Sequence, residues 1–315
     1  MSKKWKAADI TSLAGKRVLI TGANSGIGFH AALKLARKGA HVILAVRNRQ
    51  RGEDALARLD ADSPGNSAEL ALLDLASLAS VRSFAEKELA QRRPIHILIN
   101  NAGVMAPPKR LETTDGFELQ FGTNVLGHFA LTALLMPALQ LAATESPDRP
   151  RIVTIASIAH KRGRLNFDDL QCIKSYAPMR AYQQSKLGDL IFAFELDRRL
   201  RAANSTVMSI AAHPGVADTN LFQTGDHAPL ETAARKLLGH VISIVLNTDA
   251  EGALPTLYAA TSPEAEDGGY YGPQGFQEMR GEEVVKAKIA PQAVDIAAAA
   301  RLWQVCKDLT GINFM

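Results

Sequence analysis

The chain of 315 residues has only two cysteines, Cys172 and Cys306. Two thiols cannot build a disulfide framework or a multi-cysteine metal centre, so a reducing compartment and no metal are expected. Aromatic residues are scarce as well, at 6%. A nucleic-acid surface interleaves aromatics with a coherent basic stripe, and this chain has neither. An excess of one charge is also lacking: 36 Lys and Arg stand against 32 Asp and Glu, a formal net charge of +4. The basic clusters Arg47-Asn48-Arg49-Gln50-Arg51, Gln91-Arg92-Arg93 and His160-Lys161-Arg162-Gly163-Arg164 fall between periodic segments. There they read as solvated surface or local anion sites. No apolar run opens the chain. Residues 1–10 carry three lysines, unlike a secretory signal. Ser2 stands where myristoylation needs a glycine, and no C-terminal prenylation box appears. A cytoplasmic location is expected.

What is present is globular: 47% hydrophobic and 22% charged residues, with 23 Gly and 14 Pro, ample material for a large core. Residues 119–144 form a run of 26 without a formal charge, long enough by length alone to span a bilayer. Yet the run holds Gln120, Asn124, His128 and Gln140, two glycines and Pro137. Gln120, Asn124 and His128 fall at i, i+4 and i+8, a polar stripe on one helical face. The apolar remainder predicts a helix buried in a core or against a second subunit, not a membrane span. A homodimer is expected on that basis.

Short β-rich runs at 17–21, 41–46, 69–73, 95–100, 151–156 and 206–211 alternate with helical patterns. Ile27, Ala31 and Leu35 share one helical face, as do Leu187, Leu190, Ile191 and Phe194. Such alternation implies right-handed crossovers and a parallel sheet covered on both faces. No linker or repeat interrupts it. One doubly wound α/β domain over 1–315 is predicted, with its core in 14–220 and additions in 221–315.

In an open α/β sheet, ligands sit beyond the carboxyl ends of the strands. The first run leads into Thr21-Gly22-Ala23-Asn24-Ser25-Gly26-Ile27-Gly28, which opens a helix. Glycines there let the backbone turn tightly and approach a pyrophosphate at the helix N-terminus. The spacing is G-x-x-x-G-x-G, and an ordinary strand–helix turn is the plain alternative. After the second run, a site reading a free ribose 2′-hydroxyl places Asp or Glu; this chain has Arg47 and Asn48. Arg47 suits a 2′-phosphate through its planar fork of donors, against the alternative of a solvated arginine. NADP is favoured over NAD. Asp74 and Leu75 follow the third run, where a carboxylate either accepts from an adenine amine or caps the helix beginning near Ser77. The fourth run ends in Asn100-Asn101-Ala102-Gly103, small residues that permit close approach, with Asn101 able to tie strands together. Ser157 follows the fifth and His213-Pro214-Gly215 the sixth.

Tyr182-Gln183-Gln184-Ser185-Lys186 opens a further helical pattern, and the i, i+4 spacing puts Tyr182 and Lys186 on one face. An unperturbed phenol titrates near pH ~10, and a neighbouring ammonium favours the phenolate. Tyr182 is therefore a candidate general acid or base. Residues 21–28, 100–103, Asn124, Ser157, the Tyr182/Lys186 pair and 214–219 together resemble the short-chain dehydrogenases/reductases over nearly the whole chain. Residues 44–52, 122–129, 157–160, 166–170, 181–187 and Arg301-Leu302-Trp303 resemble, more narrowly, the retinol-dehydrogenase-like branch. That branch includes the oxidoreductase domain of the WW-domain oxidoreductase.

The resemblance implies a single Rossmann-type domain with a mostly parallel seven-stranded sheet and helices on both faces. It implies that Tyr182 donates the proton when a carbonyl is reduced and that Lys186 binds the nicotinamide ribose and tunes Tyr182. Ser157 would hydrogen-bond the substrate oxygen, and Asn124 would hold a water in the proton relay. Pro214, Gly215, Val216 and Thr219 would orient the carboxamide end of the cofactor. Gly22, Asn24, Ser25, Gly26, Ile27, Gly28, Arg47, Asn48, Asp74, Leu75, Asn101, Ala102 and Gly103 complete the expected cofactor-binding set, with Asn124, Tyr182 and Lys186.

Two departures stand out. Ser157 and Tyr182 are 25 positions apart, wider than in most of the superfamily though usual in this branch, so 161–181 is expected to border the pocket. The branch often continues Ser-Lys-Leu-Ala-Asn, whereas here Gly188 and Asp189 follow Leu187. The expected activity is NADP-dependent hydride transfer on a lipophilic alcohol, aldehyde or ketone. Residues 216–248, rich in Leu, Ile and Val, are either a lid or a core helix. Two other readings remain. Epimerases or dehydratases of nucleotide sugars usually carry a different glycine spacing and a larger C-terminal domain. Idle nucleotide-binding scaffolds or sensors typically lose the tyrosine or lysine kept here.

Overall fold

The computed structural model describes residues 4–216 and 247–315. Strands apolar on both sides drive its architecture. Val18, Ile20, Val42 and Leu44 enter one buried layer, while Leu19, Ile43 and Leu98 enter the other. Removing each such side chain from water is worth ~1.5–3 kcal/mol, so both faces of the sheet must be covered.

The order along the chain is β1 (Arg17–Thr21), α1 (Gly26–Ala36), β2 (His41–Val46), α2 (Arg49–Asp62), β3 (Ser67–Leu72), α3 (Leu78–Ala90) and β4 (Ile97–Asn100). Then come α4 (His128–Glu145), β5 (Arg151–Ile155), α5 (Pro178–Ala202) and β6 (Met208–Ala212). The spatial order is β3-β2-β1-β4-β5-β6, extended by β7 (Tyr270–Pro273) and β8 (Val284–Lys286). The direction of winding reverses between β1 and β4, and a crevice at such a switch point is where open α/β sheets bind ligands.

The expected α/β class and mostly parallel sheet are found, with eight strands among the described residues where seven were expected. β7 runs parallel to β6, and the added β8 runs antiparallel to β7. β8 has only three residues and no apolar run of its own. It is held by pairing with β7, continued where the Gln274 amide donates to the Glu283 carbonyl at 2.9 Å. Both strands and the helix Leu254–Thr261 lie beyond residue 220, so the sheet itself crosses the expected edge of the core. Strand ends shift by one or two residues. Ile95, expected in β4, instead donates its amide to Ala138 in α4.

The uncharged stretch 119–144 is a core helix with an irregular start. Phe121–Gly127 is wound as a π-helix and runs straight into α4. Together they are long and apolar enough to cross a membrane, yet most of the stretch is buried within the chain. The C-terminal helix Ile296–Thr310 covers this region. Phe129 of α4 meets Trp303 at 5.2 Å and Phe314 at 5.7 Å, Phe192 of α5 stacks on Trp303, and the Arg199 guanidinium lies 4.4 Å over the Trp303 ring. The chain's own C-terminus thus covers the start of α4 at Phe129, while Ala133, Leu134 and Leu141 further along that helix stay partly exposed.

Candidate active site

The carboxyl ends of β1, β2, β4, β5 and β6 open onto a single cleft of about 460 Å³. Its floor is the turn between β1 and α1. Gly22 and Gly26 take φ of +67° and +58°, a region costly for side-chain-bearing residues. Gly28 is required by space: a Cβ there would lie 2.5 Å from Asn101 Nδ2 and 2.7 Å from the Gly22 carbonyl. Ser25 precedes α1 without capping it through its side chain, so the leading amides of that helix are left for a ligand. Together with its positive end, this cradle suits a pyrophosphate. Thr123 Oγ1, buried without a hydrogen-bond partner in the described structure, also belongs to the cleft wall. The residues present therefore fit a dinucleotide.

A chain of hydrogen bonds holds the cradle in place. Thr21 Oγ1 accepts from the Asn101 and Ala102 amides, both at 2.9 Å. Asn101 Nδ2 returns to the Thr21 carbonyl at 2.8 Å, the strand tie expected from the sequence. His128 Nδ1 donates to the Asn124 carbonyl at 2.8 Å, which leaves Nε2 as acceptor of the Thr21 hydroxyl proton at 2.9 Å. Burial lowers the His128 pKa to about 3, with a smaller push from the Lys186 charge, so the ring is neutral.

At the other end of the cleft stand Ser157, Tyr182 and Lys186. Ser157 Oγ accepts from the Ala159 amide at 3.1 Å, which leaves its proton to donate. Tyr182 is 8% exposed and is contributed by α5, which starts with Pro178 at its first turn. Lys186 Nζ donates to the Ile155 carbonyl at 2.9 Å and to Asp189 Oδ2 at 2.8 Å. An ammonium has three donors, so one is left for the cleft. Burial works against the Lys186 charge, but the Asp189 carboxylate and Tyr182 outweigh it and raise its pKa.

The cleft brings together Gly22, Asn24, Ser25, Gly26, Ile27, Gly28, Arg47, Asp74, Leu75, Asn101, Ala102 and Gly103 with the catalytic candidates and Pro214, Gly215 and Val216. Two expected residues stand elsewhere. Asn48 is the N-cap of α2, its Oδ1 accepting from the Arg51 amide at 3.0 Å. Asn124 is fully buried behind the cleft. Its Oδ1 accepts from the Val104 amide, and its Nδ2 donates to the Val104 carbonyl and Ser185 Oγ. The side chain expected to hold a water is thus engaged in shaping the wall. Thr219 and most of 216–248 lie outside the described residues. Asp74 combines both of its readings in part: it lines the cleft, and its Oδ1 accepts from the Ala76 amide, while Ser77 caps α3.

Sequence reasoning missed Arg51, which joins Arg47 on the cleft wall one turn into α2, and the apolar Met105, Ile158 and Met179. Arg51 had a signal in its i+4 spacing from Arg47. Met179 lies in 161–181, the segment expected to border the pocket.

The short chain dehydrogenase family profile matches residues 16–229. Retinol dehydrogenase 14 of Mus musculus is 40% identical over 310 residues, covering 95% of this chain and 86% of that protein. Polyprenol dehydrogenase of Mus musculus is 41% identical over 299 residues, covering 94% and 84%. The crystal structure of an uncharacterized protein from Mycobacterium paratuberculosis matches with a TM-score of 0.79 at 40% identity, covering 99% of this chain and all of that one. The chain belongs to the short-chain dehydrogenases/reductases, in their retinol-dehydrogenase-like branch, and is an oxidoreductase acting on CH–OH groups with a nicotinamide cofactor.

Proposed function

We propose that the protein is an NADP-dependent dehydrogenase/carbonyl reductase for a lipophilic alcohol or carbonyl. The observation that carries this reading is one cleft with Arg47 and Arg51 at its nucleotide end and Ser157, Tyr182 and Lys186 at the other. The bound nicotinamide supplies hydride exchange with the substrate carbon. The chain's own residues manage the oxygen. In reduction, the carbonyl oxygen accepts hydrogen bonds from Ser157 and Tyr182, and it takes the Tyr182 phenol proton as its charge develops. In oxidation, Tyr182 as phenolate removes the alcohol proton. Lys186, anchored by Ile155 and Asp189, holds its remaining donor toward the cleft.

Preference for NADP is supported by two guanidinium groups where an acidic residue would read a free 2′-hydroxyl. A lipophilic substrate is supported by the apolar Met105, Ile158 and Met179 on the cleft wall. The names of the retinol and polyprenol dehydrogenases among the relatives point the same way.

The test is an NADPH-oxidation screen over medium- and long-chain aldehydes and ketones. Tyr182→Phe should lower kcat by about 10²–10⁴-fold, the usual worth of a positioned acid; turnover that survives in this variant overturns the mechanism. Arg47→Ala should raise the KM for NADPH about 10-fold or more, as the loss of a charge-assisted hydrogen bond predicts, with little effect on NADH. A wild type that prefers NADH overturns the cofactor assignment.

A further inference from the structure

Lys186 and Asp189 form an ion pair inside the protein core. Lys186 Nζ lies 2.8 Å from Asp189 Oδ2, and their side chains are only 5% and 3% exposed. A buried ion pair gives little net stability against apolar side chains of similar size, because desolvating both charges cancels most of their attraction. This pair includes a residue of the active-site wall, which gives it a consequence for the chemistry.

We propose that Asp189 is a positioning residue that holds Lys186 against the Ile155 carbonyl and offsets its positive charge, so that the site favours proton delivery in carbonyl reduction. Tyr182, Lys186 and Asp189 follow one another along α5, separated by about 6 Å and about 4.5 Å of helical rise at ~1.5 Å per residue. A lone ammonium beside a phenol stabilises the phenolate. A carboxylate in contact with that ammonium turns a point charge into a short dipole, whose effect on the phenol is smaller. The same contact fixes the lysine rotamer and directs it onto Ile155.

Among the described residues, the groups around the pair leave this role to Asp189; Tyr270, which acts on Tyr182 from β7, has its pKa raised by burial and is a neutral phenol. Lys186 is the charge that acts on Asp189 among the described residues. Cys306, facing Asp189 from the C-terminal helix, has its pKa raised by burial and by Asp189, so it stays a neutral thiol. His128, facing Lys186 from α4, is neutral as well. Phe121–Gly127 and β6 carry no ionisable side chain, and β5 carries only Arg151 at its far end. Burial raises the Asp189 pKa to about 6 against the pull of Lys186, which leaves the carboxylate ionised at neutral pH.

This inference rests on the dehydrogenase reading. The test is the pH dependence of kcat for alcohol oxidation and carbonyl reduction in wild type and Asp189→Asn, with the cofactor dissociation constant measured by NADPH fluorescence at each pH. Asp189→Asn should move the midpoint of both profiles down by about one pH unit, and lower the reduction-to-oxidation ratio near pH 8. Asp189→Glu, which keeps the charge, should restore the wild-type midpoint. A midpoint that stays put or moves up in Asp189→Asn overturns the proposal, since a purely structural residue changes rates without moving the profile. If the neutral variant does not fold, Lys186→Met/Asp189→Asn decides. Recovery of the wild-type melting temperature supports a charge partnership, and continued failure overturns it. A wild type inactive on every alcohol and carbonyl tested would sink the dehydrogenase reading instead, so the two failures are distinguishable.

Discussion

The hydroxyl of Thr21 accepts two backbone amides and donates to His128, and in doing so joins the end of β1, the loop after β4 and the start of α4. Thr21→Val keeps the shape and removes the acceptor. The partly buried amides then lose their partner at ~1–3 kcal/mol, and a shift of that size in urea unfolding, with weaker cofactor binding, is the expected result. Two buried histidines contribute to loss of stability in acid. Burial, first, lowers the pKa of His128 and of His213 from 6.5 to about 3. The unfolded chain therefore binds more protons than the native one between pH 6.5 and 3, so stability is complete above 6.5 and falls as pH drops through that window. His213 Nδ1 accepts from the Gly215 amide at 3.1 Å, a bond that an asparagine oxygen can replace. His213→Asn should therefore show a smaller fall in melting temperature between pH 6.5 and 5 than wild type. Thr21 and His128 are both visible in the sequence, but their contact joins residues more than a hundred positions apart. Sequence spacing carries no trace of it.

At the scale of elements, the strand–turn–helix units were legible because each is local: two apolar periods and a glycine turn between them. The π-helical start of α4 was not. The i, i+4 stripe of Gln120, Asn124 and His128 reads as ordinary α-helix, while Gly127 is pressed so close that a Cβ would meet the Leu75 carbonyl at 2.5 Å. The winding changes where tertiary neighbours demand it, and π-turns gather at functional sites. The joint between β1 and α3 was equally hidden. Arg17, 3% exposed at the start of β1, donates to Glu88 Oε2 of α3 at 2.7 Å. Glu88→Ala leaves that guanidinium buried with reduced compensation from Glu69 and Gln91, and a loss of ~3–5 kcal/mol is expected. Chemical denaturation measures it, with activity at low temperature preserved because the pair lies away from the cleft.

For the whole molecule, the C-terminal helix is the part whose role changes most between sequence and structure. Trp303 joins Phe129, Phe192 and Phe314 in one aromatic cluster and donates from Nε1 to the Phe314 carbonyl at 3.1 Å. Trp303→Ala should cost ~3–5 kcal/mol. It should also uncover the apolar surface of α4 and α5, so that self-association rises at micromolar concentration in sedimentation velocity. The sequence by itself determined the α/β class, the six strands from β1 to β6, the glycine cradle and the tyrosine–lysine pair, because periodicity and short spacings are properties of neighbouring residues. Only the tertiary structure decided that Asn48 caps a helix while Arg51 faces the cleft, that Asn124 supports the wall from behind, and that the Lys186–Asp189 pair is buried. It also decided that the start of the longest apolar helix, at Phe129, is covered by the chain's own C-terminus. Those outcomes depend on which distant groups must share a buried polar partner or an apolar face, and that requirement exists only once the sheet has brought them together.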